Sequence, residues 1–210
     1  MRTLLMAILF VVSACALPAC KVAPYTKGDD AAASMTAATE TVARLRAAAE
    51  ATKASLDPLF APDAKLKPAY KAFVESVDRY TAAIESVKRS VVGVEEATLA
   101  YLETYSAVRE DVTNTDLRAA MLMRREAIER QLADMKVELS NLLASTDVLA
   151  RELKDLRVFL EVNLNAQAIG PAAPVGEKLA VSIGNIGSSA DRVSLELKDL
   201  AASLATERTD

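Results

Sequence analysis

The sequence predicts an all-α fold: an elongated antiparallel helical hairpin of coiled-coil type, with two shorter helices making a four-helix bundle at one end. Three observations predict it. Of 210 residues, 51% are hydrophobic and 26% charged, with 40 Ala and 26 Leu among them. Gly and Pro together number only 13, about half their usual share. Apolar residues recur at spacings of three and four over long stretches, and no Pro interrupts residues 69–170. Length and pattern fit a single elongated helical domain over residues 29–210.

The same composition narrows the function. With no His in the chain, there is no Ser-His-Asp or Cys-His site and no imidazole metal ligand. A net charge of −4 lacks the basic face that nucleic acid requires. No Gly-rich phosphate loop and no Glu-x-x-His pair occurs. Carboxylates such as Glu95, Glu96, Glu126, Glu129, Asp134 and Glu138 fall at solvated helix positions beside Lys and Arg. No catalytic residue, cofactor or metal is therefore expected, and the protein is not expected to be an enzyme.

Taken in order, residues 1–14 read as an export signal. Arg2 supplies a charged start and Leu4–Val12, LLMAILFVV, an apolar run too short to span a bilayer. Val12-Ser13-Ala14-Cys15 then resembles the bacterial lipoprotein box, in which small residues precede a Cys that accepts lipid through its thiol. Leu17-Pro18-Ala19-Cys20 is the alternative, disfavoured because Pro18 fixes the backbone where a peptidase must grip it. Both cysteines lie in the first twenty residues, as export to an oxidising compartment favours. Lipid on Cys15 would anchor the protein to a membrane. Ala16, rather than Asp, after Cys15 resembles outer-membrane sorting, hence a lipoprotein of the bacterial cell envelope facing the periplasm. Residues 15–28 form the attachment point and tether, rich in Pro and without periodicity.

Helix one is predicted from the narrow stripe Met35, Ala38, Val42, Leu45, Ala49, Thr52 and Leu56, broken by Asp57-Pro58. Pro68 opens helix two, whose seam runs Tyr70, Phe73, Val77, Tyr80, Ile84, Val87, and on through Tyr105 to Val112. Thr113-Asn114-Thr115-Asp116 turns the chain into helix three. Its seam runs Ile128, Leu132, Met135, Leu139, Leu142 and on to Leu160, and Gly170-Pro171 is expected to end it. Helix four carries Leu179, Ile183, Ile186, Ala190, Val193, Leu197, Leu200 and Leu204; Ser188 with Asp191 could cap a restarted helix, and a kink or a close approach of another backbone is expected near Gly184–Ser188.

These lengths leave residues 98–130 as a projecting two-helix tip. It carries Tyr101, Tyr105 and Met121, which are candidates for protein contact, or for burial in the tip's own seam. A protein partner, or self-association through the coiled coil, is expected. Asn163 and Gln167 fall together where the helix-three seam should continue, and with Asn165 they form a candidate polar contact face for an envelope ligand.

The run Phe159–Ile169, FLEVNLNAQAI, also resembles the signature of a bacterial family of exported, coiled-coil-rich proteins classed only as a domain of unknown function. Fainter similarity covers Leu66–Tyr70 and Arg124–Leu132. Where that family's segment commonly carries His, this chain has Val162. The resemblance implies an all-helical envelope protein and supplies no activity. The leading expectation is a lipid-anchored or periplasmic spacer, adaptor or assembly subunit, and the alternative is a ligand-binding module.

Overall fold

A computed structural model describes residues 24–205 of the chain, apart from the side chain of Pro24. The export segment 1–14, Cys15, Cys20 and the first part of the tether lie outside the described residues. Those residues form four helices and no strand: α1 (Pro24–Phe60), α2 (Leu66–Asp111), α3 (Thr115–Val162) and α4 (Ala166–Leu204). Short connections make successive helices antiparallel. Each helix packs on its two neighbours in sequence, and α4 closes against α1; α1 and α3 do not meet, nor do α2 and α4. The result is a four-helix bundle.

The apolar stripes decide which faces turn inward. The predicted residues of α1 from Met35 to Leu56 are all buried, as are those of α4 from Leu179 to Leu204. On α3, Ile128, Met135, Leu139, Leu142, Leu149, Leu153, Leu156 and Leu160 line the core. Small side chains let α1 come closest: its backbone lies within 8 Å of α2 and α4 along much more of its length than α3 achieves with its leucines. The buried Thr hydroxyls bond to carbonyls of their own helices. Thr52 donates to Ala48 O at 2.9 Å, Thr98 to Val94 O at 2.7 Å, and Thr146 to Leu143 O at 2.8 Å, so the polar breaks in the stripes leave no orphaned donor.

Several boundaries differ from the sequence expectation, for one physical reason. Helix α1 starts at Pro24 within the expected tether and runs through Pro58, and α4 contains Pro171 and Pro174. A helical Pro frees the carbonyl four residues before it. Here those carbonyls belong to Ala54, Gln167 and Gly170, all exposed residues that water reaches. Helix three therefore ends at Val162, before Gly170. Nor does α4 restart near Gly184: it is continuous there, and Ser188 Oγ donates back to Gly184 O at 3.3 Å.

Candidate functional site

The run Asn163–Ile169 forms the corner between α3 and α4. Asn163 is the C-cap of α3; its backbone N–H and its Nδ2 both donate to Phe159 O at 3.1 Å. Asn165 is the N-cap of α4, its Oδ1 accepting from Ala168 N at 3.0 Å. Ile169 is buried at the start of the α4 seam. The chain reverses between Asn163 and Gln167, so the two amides do not share a helix face as expected. Both asparagine side chains are engaged in the caps, and Gln167 is exposed.

Beside this corner, α3 and α4 leave a groove of about 400 Å³ lined by Phe159, Pro171, Val175 and Leu179, among others. Phe159 and Val175 are 39% and 46% exposed. Lys178 Nζ and Glu152 Oε1 close its rim at 3.0 Å. Sequence reasoning missed the groove because Phe159 lies outside the α3 seam and Val175 falls between the expected end of helix three at Gly170-Pro171 and the stripe that begins at Leu179. The spacing Ile169, Ala172, Gly176, Leu179 was the available signal.

At the other end the bundle reaches further than expected. Gly28 of α1 sits so close to α4 that a Cβ there would stand 2.7 Å from Leu204 O and 3.4 Å from the Tyr101 ring. Arg124 Nη2 donates to Ser203 O at 2.8 Å. Tyr101, expected on a projecting tip, is thus covered and only 6% exposed. Tyr105 is half-buried, its ring tilted 45° to that of Tyr101 at 5.7 Å. Burial and the neighbouring Tyr101 raise the Tyr105 hydroxyl above its ordinary pKa against the opposing pull of Arg124. Both tyrosines line an open cavity of about 800 Å³ with Tyr25, Arg124, Ile128 and Leu204. Met121 lies just beyond, half-buried.

Among the described residues only the ends of α2 and α3 continue past this cavity. Arg118 ties their connection together, donating from Nε and Nη2 to Val112 O at 3.0 and 2.6 Å. Asn114 caps α3 by accepting from Asp116 N and Leu117 N at 3.0 Å. One turn past Tyr105 towards that connection, the Nε of Arg109 is buried with no hydrogen-bond partner among the described residues.

Among the described residues no group of three or more Cys, Asp or Glu gathers to hold a metal ion, and no helix is long and apolar enough to cross a membrane. The arrangement offers two apolar, partly open surfaces at opposite ends of a helical bundle, which suit contact with another surface. Neither a curated protein nor a solved structure matches the chain. The family model described as "Protein of unknown function (DUF2959)" matches residues 28–192, most of the chain, and the chain belongs to that family.

Proposed function

We propose that the protein is a lipid-anchored or periplasmic spacer or adaptor of the bacterial cell envelope, acting through protein contacts and without catalysis. The observation that carries this reading is the order of the chain. The apolar run Leu4–Val12 and the small residues before Cys15 stand directly ahead of a long helical bundle whose core is assembled from α1–α4. In this reading the α2–α3 hairpin, with the shorter α1 and α4 packed on it, is an elongated rod. The groove at Phe159 and Val175 supplies its contact surface, since apolar side chains left half-exposed gain from a partner that covers them.

Expression of the full chain in a Gram-negative host tests the anchor through the mass of the mature N-terminal peptide. Cys15→Ser should abolish lipidation and Cys20→Ser should leave it intact. A wild-type mature N-terminus that carries no lipid overturns the anchor. The contact surface is tested by a photoreactive residue at Val175, with crosslinked envelope proteins identified by mass spectrometry. A discrete adduct is expected at Val175, absent from the same probe at exposed Lys53 and lost with Phe159→Lys. Identical products at positions 175 and 53 would overturn it.

A further inference from the structure

Residues 117–125 of α3, LRAAMLMRR, contain no acidic side chain. Leu117, Leu122 and Met123 are 60%, 41% and 70% exposed, and Ala119 and Ala120 are exposed as well. At about 100° per residue, Ala119, Leu122 and Met123 share one outward arc with the exposed Glu126, opposite the side that Ile128 sends to the core. Arg118 and Arg125 border this arc on one side and Arg124 lies beyond the other. Each Arg can lay its aliphatic stem along the apolar surface while its guanidinium stays in a polar layer.

The described chain starts at this same end. Helix α1 begins at Pro24, and Gly28 packs beside Tyr101 and Leu204. Cys15 precedes Pro24 by nine residues, which reach at most about 30 Å when fully extended. An anchor on Cys15 therefore keeps the start of α3 near the bilayer, whereas the far end of α1 lies about 55 Å further along the bundle.

We propose that the outward arc of Ala119, Leu122 and Met123 rests in the headgroup layer of the bilayer as a second, non-covalent membrane contact. The proposal rests on the tether reading. The apolar side chains enter the acyl boundary, and Arg118, Arg124 and Arg125, which bond Val112 O, Ser203 O and Glu129, turn their remaining N–H groups to lipid phosphates. Across residues 109–126, Arg109, Arg118, Arg124 and Arg125 stand against Glu110, Asp111, Asp116 and Glu126, so the stretch carries no net charge. Apolar burial thus supplies most of the attraction, and the contact depends on the anchor to hold the face at high effective concentration.

The test uses the full, lipidated chain carrying Cys20→Ser, reconstituted into vesicles of phosphatidylethanolamine and phosphatidylglycerol at 3:1. One nitroxide is attached at Met123→Cys and, in a second sample, at Lys67→Cys in the first turn of α2. Mass spectrometry of the N-terminal peptide establishes the lipid in each sample. Collision with oxygen relative to a water-soluble nickel chelate should be several-fold higher at position 123 than at 67. Equal, water-like collisions at both positions in lipidated chains overturn the membrane contact and leave the tether standing. An immobilised label at 123 that neither reagent reaches means that a second copy covers this face, and overturns it too. A mature N-terminus without lipid overturns the tether itself, and with it the premise of this contact.

Discussion

At the end where α1 turns into α2 and α3 into α4, two short connections draw all four helices together. Leu59, Phe73 and Leu160 are fully buried there, and Gly176 admits the Phe60 ring against the α4 backbone. At the opposite end a single connection joins α2 to α3, both ends of the described chain depart, and a cavity of about 800 Å³ remains. The same kind of apolar stripe thus produces a closed end and an open one. Connectivity makes the difference: two corners seal the core between four helices and leave apolar side chains such as Phe159 and Val175 half-exposed only on its flank, whereas α2 and α3 outrun their neighbours and carry Leu117, Leu122 and Met123 into solvent.

The largest effect that sharpens this contrast is a truncation at each end. Phe73→Ala, with the ring wholly enclosed, should cost about 3–5 kcal/mol of stability in urea unfolding. Tyr105→Ala, beside a cavity that water already enters, should cost about 1 kcal/mol. Equal losses would mean that the open end is as tightly packed as the closed one.

A smaller effect separates two glycines. A Cβ at Gly28 must push on the backbone carbonyl of Leu204, whereas at Gly184 nothing lies within 4 Å. Overpacking costs about 1–3 kcal/mol and the helix preference of Ala returns about 1 kcal/mol. Gly28→Ala should therefore destabilise by roughly 1 kcal/mol and speed hydrogen exchange at the start of α1, while Gly184→Ala should raise the urea midpoint. Stabilisation by both would show that α1 and α4 are not closely joined there.

The smallest effect is electrostatic. Near the closed end the α3–α4 interface pairs Lys178 with Glu152. Towards the open end it brings Glu196 near Glu138 and Asp134, with one Glu196 oxygen buried and unbonded. Burial first, then those two carboxylates, raise the Glu196 pKa, opposed by Arg192. The folded chain therefore holds this proton to higher pH than the unfolded chain, so stability falls as pH rises from about 4 through the raised value. Glu196→Gln should raise Tm at pH 7 and change nothing below about pH 4. A lower Tm at pH 7 would mean that the attraction of Arg192 wins.

The core was legible in the sequence because spacing reports burial directly. Met35 through Leu56 on α1 and Leu179 through Leu204 on α4 read correctly as single faces. The α3–α4 corner was not legible. Asn163 and Gln167 stay in phase with the heptads, Ala166 and Ala168 favour helix, and Pro171 looks like a terminator. Only the exposure of the freed carbonyls explains why the prolines are tolerated, and exposure is a property of the packed bundle. Tyr101 was misplaced for a related reason: its cover comes from Gly28 and Leu204, far away in sequence, and a heptad pattern does not say how far a neighbouring helix extends.

The meeting of Gly28 with Leu204 also gives the chain a nearly closed circuit, in which the first turns of α1 lie beside the last turn of α4. Tension applied between these two points would peel the helices apart from one end, breaking a few contacts at a time, instead of shearing the whole length of the bundle at once. A load that entered at the start of α1 and left through the α3–α4 corner would instead have to slide α1 along α4. The bundle is mechanically weak in the first direction and strong in the second.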